Sequence, residues 1–120
     1  MSHSITRNAN GNIDITLTRG DSLLLQIGLV KEINGVAEPY IPAEGCRVRF
    51  AMKRRYTDPD SEVLVDKQIP IDTLLLEIEP EDTKPLQMGK SYVYDIELTD
   101  ENGRVDTFVK GNFTLENEVK

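Results

Sequence analysis

The chain contains no tryptophan, one cysteine and one histidine among its 120 residues. Each shortage closes off a class of function. A lone cysteine, Cys46, cannot form an internal disulfide, so the fold does not depend on an oxidising compartment. Cys46 reads either as a nucleophile or intermolecular bridge or, more simply, as a small residue at a strand entrance. The lone histidine, His3, sits in a polar leading segment with nothing to position it, so a catalytic triad has no base. One histidine and one cysteine do not supply a zinc site of the usual ligand type. The glycines between Gly35 and Gly45 have neither the spacing nor the following helix of a phosphate loop. No apolar run approaches the roughly 20 residues of a membrane helix. Residues 1–12 lack the apolar core of a signal peptide, so synthesis in the cytoplasm with no export signal is expected. Basic charge is also short: 14 Lys and Arg against 21 Asp and Glu leave a net −7. That balance repels a phosphate backbone and argues against nucleic acid as a partner. The expectation is a non-enzymatic chain with no cofactor, no metal and no membrane insertion.

What is present is alternation. The chain is 38% apolar, and its apolar residues fall in period-two strings, the spacing of half-buried strands. Ile13, Ile15 and Leu17 alternate with Asp14 and Thr16. After a turn at Arg19-Gly20-Asp21, a triplet that also resembles an adhesion motif, Leu23, Leu25, Ile27 and Leu29 share one face. Leu24 breaks that pattern and suggests a second apolar surface. Asn34-Gly35 suits a hairpin turn if short strands flank it. Val48, Phe50 and Met52 point one way, and Arg47, Arg49 and Lys53 the other. Val63, Val65 and Ile69 mark a weaker strand ending at Pro70, and Leu74, Leu76 and Ile78 another. Pro80-Glu81-Asp82-Thr83 reads as one helical turn, with proline at its first position and acids at its amino end. Tyr92, Tyr94, Ile96 and Leu98 give the clearest strand, followed by a turn at Asp100-Glu101-Asn102-Gly103. Val105, Thr107, Val109, Gly111, Phe113 and Leu115 share one parity, with a bend or bulge expected at Gly111. Seven to eight short strands with turns between them predict an all-β sandwich over residues 13–116. Residues 1–12 and 117–120 are expected to be loose tails.

Leu86-Gln87-Met88-Gly89-Lys90-Ser91-Tyr92 has the form Leu-x-x-Gly-x-x-Tyr ahead of an alternating strand. It resembles the tyrosine corner of immunoglobulin-like sandwiches, in which a tyrosine near the start of the second-last strand bonds its hydroxyl back to nearby backbone. Tyr92 is the corner residue under that reading and a plain core-edge residue otherwise. A longer resemblance begins at Ile15-Thr16-Leu17-Thr18-Arg19-Gly20-Asp21 and the apolar strand Leu23 to Leu29. It continues through Gly89-Lys90-Ser91-Tyr92-Val93-Tyr94-Asp95-Ile96-Glu97-Leu98 and Gly103-Arg104-Val105-Asp106-Thr107, and closes on Gly111-Asn112-Phe113-Thr114-Leu115. This order is similar to small immunoglobulin-like domains of phage and prophage tail and baseplate proteins, including the amino-terminal domain of baseplate upper proteins. The resemblance implies an immunoglobulin-like fold and a place in a virion tail. The chain departs from those relatives in ending at Lys120, with no receptor-binding segment after it, which suggests a free-standing accessory protein.

Two groups of charged residues are the remaining candidates for a site. Asp95, Glu97, Asp100 and Glu101, then Asp58 and Asp60, then Glu79, Glu81 and Asp82 are carboxylate sets of the chemistry that holds calcium. None has a known calcium-loop spacing, and a solvated surface accounts for all three. Lys53-Arg54-Arg55-Tyr56 is the one basic cluster. It reads as a docking patch for an acidic protein or an anionic glycan, or as a solvated strand end balanced by acids. Arg47 and Arg49 would face Asp95 and Glu97 if their strands pair. Two functions follow as expectations. The first is a structural or assembly module of a phage tail or baseplate, bound to other tail proteins or to copies of itself. The second is recognition of a host surface or carbohydrate through the sandwich loops.

Overall fold

A computed structural model of the chain describes residues 3–7, 11–87 and 89–117. Ten strands, a 3-10 turn at Asp60–Glu62 and one α-helical turn are described: β1 His3–Arg7, β2 Ile13–Thr18, β3 Leu23–Gln26, β4 Val30–Ile33, β5 Val36–Pro39, β6 Arg47–Lys53, β7 Val65–Ile69, β8 Leu75–Ile78, α1 Pro80–Thr83, β9 Lys90–Thr99 and β10 Val105–Glu116. They form a six-stranded sheet in the order β1-β2-β10-β9-β6-β7, a two-stranded sheet β3-β8, and a separate hairpin β4-β5. All neighbouring pairs are antiparallel except β2 and β10, which run parallel with Ile15 beside Phe113. The fold is all-β, with the small sheet laid over one face of the large one.

The alternation read from the sequence decides which side chains lie between the layers. Val48, Phe50 and Met52 of β6, Tyr92, Tyr94, Ile96 and Leu98 of β9, and Leu23, Leu76 and Ile78 of the small sheet share one buried cluster. Phe50 stacks on Tyr94 at 5.4 Å between ring centroids, and Phe113 meets both rings edge-on. Burial of side chains this size is the main source of stability, at about 1.5–3 kcal/mol each. Cys46 is buried at the entrance to β6.

The structure departs from the sequence reading at several points. The strand expected over Leu23 to Leu29 stops at Gln26. Residues 3–7 form an edge strand on β2, with Ile5 opposite Ile15, where a loose tail is expected; the side chain of His3 lies outside the described residues, as do residues 118–120 of the expected trailing tail. Leu24 is 63% exposed, so it faces no second apolar layer. The irregularity in β10 falls between Thr107 and Val109, not at Gly111. The shift reverses parity there, so Val105 and Thr107 stand exposed while Gly111, Phe113 and Leu115 point inward. Gly111 answers a different need: a β-carbon on it would lie 2.0 Å from the carbonyl oxygen of Ile13. It lets β2 and β10 approach where their parallel pairing begins.

Asn34 and Gly35 both take positive φ, 53° and 79°. That is the type I′ geometry matching the twist of two antiparallel strands, and Asn-Gly is its preferred pair. The β4–β5 hairpin it closes is extended one step by the Tyr40 amide on the Leu29 carbonyl at 2.8 Å, and Tyr40 stacked on Phe108 at 5.7 Å joins it to the body. All four residues of β5 are exposed.

Candidate interaction site

The basic run Lys53-Arg54-Arg55-Tyr56 leaves the end of β6 and divides there. Lys53 keeps the outward parity of Arg49 and stays on the outer face of the six-stranded sheet. Its ammonium lies 3.1 Å from an Asp60 carboxylate oxygen and donates to the Asp58 carbonyl at 3.0 Å. Tyr56 folds back over the sheet, and its hydroxyl donates to the Gly111 carbonyl at 3.0 Å, with the Tyr94 carbonyl at 3.3 Å. Lys110 caps the exposed ring face at 5.9 Å from its centroid, within range of a weak cation–π contact. Both residues are therefore fixed to their own sheet. The Tyr56 phenol is pushed above its ordinary range, first by burial.

These two residues join a closed charge cluster. Arg49 makes a bidentate pair with Asp66, at 2.9 and 3.0 Å, and reaches Asp60 at 3.9 Å and Glu97 at 4.0 Å. The β6–β9 register sets Arg49 opposite Glu97 and Ala51 opposite Asp95, so the facing charges come from strand pairing. Arg47 faces Thr99 instead, and takes no part. The Asp66 hydrogen bond leads in raising the Arg49 guanidinium, and the Lys53 hydrogen bond leads in holding Asp60 below the usual carboxylate range. Asp95, half-buried beside Ala51, is raised by desolvation. The hollow among these groups is about 90 Å³, and its two cations, Arg49 and Lys53, are outnumbered by the carboxylates of Asp60, Asp95 and Glu97. Being exposed to solvent, such pairs are screened and contribute little to stability.

Arg54 and Arg55 turn away from that face. They line a groove of about 380 Å³ with Lys90, and Leu64, Leu86 and Tyr92 give it apolar walls. Arg54, Arg55 and Lys90 are exposed, and no ion pair among the described residues engages them. A neighbouring hollow of about 280 Å³ shares Arg54, Arg55 and Leu64 and is also lined by Asp58 and Glu62. The first groove thus holds three cations and no carboxylate on a chain of net charge −7. That lining sets positive charge beside apolar surface, chemistry that can take an anionic group carried on an apolar stem.

Tyr92 ties this groove to the fold. Its ring is buried, and its hydroxyl accepts a hydrogen bond from the Gln87 amide at 3.1 Å, holding the 86–92 connection against the start of β9. Met88, within that connection, lies outside the described residues. Arg19 fastens the preceding turn, donating to the carbonyls of Lys84 and Leu86, the latter at 2.9 Å. The Arg19-Gly20-Asp21 triplet is a turn, with Gly20 at φ 89° and the Asp21 amide on the Thr18 carbonyl.

The carboxylate sets do not converge. Asp100 caps its own turn, accepting from the Asn102 and Arg104 amides at 2.9 Å. Asp82 pairs with Lys67 at 2.8 Å and accepts from the Glu79 amide. Among the described residues, no three His, Cys, Asp or Glu side chains are placed to share an ion. Lys90 is the residue that sequence reading missed. Its signal was present, since antiparallel pairing of the 48–53 and 90–99 strands brings residue 90 beside the end of the basic run.

No protein-family model matches the chain, and no curated protein is significantly similar to it.

Proposed function

We propose that the chain is an immunoglobulin-like sandwich that acts as a non-enzymatic assembly module of a phage or prophage tail or baseplate. It works through contacts with other tail or baseplate proteins and with copies of itself. It is made in the cytoplasm and carried in the virion tail. The immunoglobulin-like reading is supported by the division of strands: β3 and β8 share one sheet, while β6, β9 and β10 are contiguous in the other. That is the partition of the B and E strands from the C, F and G strands. The Tyr92 hydroxyl on the Gln87 amide supports it further.

The observation that carries the assembly reading is the β4–β5 hairpin. A two-stranded hairpin alone in water is marginal, yet this one has a well-formed turn and a strand that buries nothing. Such an element is completed by a partner. Mass spectrometry of purified particles from the source organism tests the reading. Peptides of this chain in fixed ratio to tail proteins are expected, and their absence from well-covered particles would overturn it.

The Arg54, Arg55 and Lys90 groove favours a second reading, recognition of an anionic surface glycan. Binding of a sulfated or uronic-acid oligosaccharide to the isolated chain, lost in Arg54→Ala/Arg55→Ala, would transfer the conclusion to it.

A further inference from the structure

We propose that copies of this chain associate head to tail, with the β4–β5 hairpin end of one seated in the Arg54–Arg55–Lys90 groove of the next. The proposal rests on the assembly reading and names the partner as a second copy.

The register places the two surfaces at opposite ends of the sheet. Lys53 is level with Val93, and Leu115 with Lys90, so Arg54, Arg55 and Lys90 lie at one end. Arg47 and Val105 are both level with Thr99, so the entrance to β6 and the Asp100–Gly103 turn lie at the other. The β4–β5 hairpin joins that second end through Tyr40 on Phe108. The 41–46 loop lies there too, because a β-carbon on Gly45 would stand 3.4 Å from the Glu101 side chain.

The two ends complement each other in both charge and apolarity. The hairpin end exposes Glu38, Glu44, Glu101 and Asp106 against Arg47 and Arg104. It also gathers four of the seven large exposed apolar side chains among the described residues: Val30, Val36, Ile41 and Val105. The groove at the other end offers unpaired cations around Leu64, Leu86 and Tyr92. An acidic, valine-bearing end meets a basic groove with apolar walls, which is the pairing of charge and burial that specific interfaces use. A third layer of contact would also complete the hairpin, whose β5 buries nothing in the single chain.

Because the two surfaces differ, the contact is heterologous. It propagates, and it closes into a ring or continues as a filament according to the rotation per step. Its dependence on salt also differs from that of an apolar dimer. A chain of charge −7 repels itself, so salt would strengthen a purely apolar contact by screening that repulsion. Salt weakens a contact made by the basic groove and the acidic hairpin end.

Sedimentation of the full chain over a concentration series tests the proposal. The expected result is growth past the dimer, reduced by added salt. Arg54→Glu/Arg55→Glu alone and Glu38→Lys/Glu101→Lys alone should each weaken association at least about tenfold. All four residues are exposed, so circular dichroism and melting of each variant should match the wild type. Mixing the two variants restores complementary charge at every contact, and growth should return. A wild type that is monomeric throughout, or a discrete dimer that never grows, would overturn the proposal, as would a mixture that fails to recover. If poly-glutamate binds the groove while the chain stays monomeric, the occupant is another acidic protein. A monomeric chain found in particles sinks this inference alone, whereas absence from particles sinks the assembly reading regardless of self-association.

Discussion

Replacing Gly111 with alanine should be strongly destabilising. The new β-carbon would stand 2.0 Å from the Ile13 carbonyl oxygen, 2.6 Å from its carbon and 3.0 Å from an Asp14 carboxylate oxygen. Ordinary contact begins near 3.4 Å, so β2 must retreat by about 1.4 Å. The obstruction is β2 backbone, held in its antiparallel ladder with β1 just before the parallel pairing with β10 begins, so no side-chain rotation relieves it. Two hydrogen bonds stretch with it: the Tyr94 hydroxyl to the Ile13 carbonyl at 2.6 Å and the Asn112 amide to Asp14 at 2.9 Å. Each is worth about 1 kcal/mol, and more for a buried phenol left unpaired. Overpacking adds about 1–3 kcal/mol. The sum, about 3–5 kcal/mol, is a large part of the roughly 5–15 kcal/mol of a whole domain. At about 4 °C per kcal/mol for a chain of this size, the midpoint should fall by roughly 12–20 °C. Thermal and urea unfolding followed by circular dichroism measure it. Gly28→Ala is the control: nothing lies within 4 Å of its β-carbon, and its midpoint should stay within about 4 °C of wild type. A Gly111→Ala protein melting within about 2 °C of wild type would refute the close approach of β2 and β10.

Tyr92→Phe removes the acceptor of the Gln87 amide and should cost roughly 1–2 kcal/mol in urea unfolding; an unchanged midpoint would show that water replaces the hydroxyl. Asp95→Asn tests the desolvated carboxylate. Its folded pKa lies above the unfolded value, so the stability it contributes is present at low pH and lost as pH rises through the folded pKa. The asparagine variant should therefore be the more stable at neutral pH, with the gain shrinking as the pH falls towards 3.8, the ordinary aspartate value. A gain that grows on acidification would reverse the assignment.

Much of the fold was legible because burial follows parity. β2, β6, β9 and β10 lie where their apolar strings do, while β3 stops at Gln26, short of Ile27 and Leu29, and β8 opens at Leu75, after Leu74. β1 was illegible for the same reason. His-Ser-Ile-Thr-Arg has one apolar residue, and an edge strand gains its place from the ladder on β2 instead of from burial. The irregularity at Phe108 left one trace, the adjacent apolar pair Phe108-Val109, which breaks the alternation that Gly111 does not. The basic run was legible as a cluster of residue types but not as a site. Its division depends on Tyr56 reaching carbonyls 38 and 55 residues away and on Lys53 continuing the parity of β6. No local pattern carries that information.

The place of β10 has a consequence for how the protein is made. It follows every other described strand in the chain and so leaves the ribosome after them, yet it lies inside the six-stranded sheet, between β2 and β9. Until residues 105–116 emerge, the first two strands have no link to the remainder of that sheet, and β2 and β9 each present a bare edge to solvent. The large sheet therefore assembles only after synthesis of β10, through contacts that span most of the chain, which makes folding slow for its size. A nascent chain stalled before residue 105 should hold chaperones and resist compaction. Release of one further strand then joins the sheet in a single step.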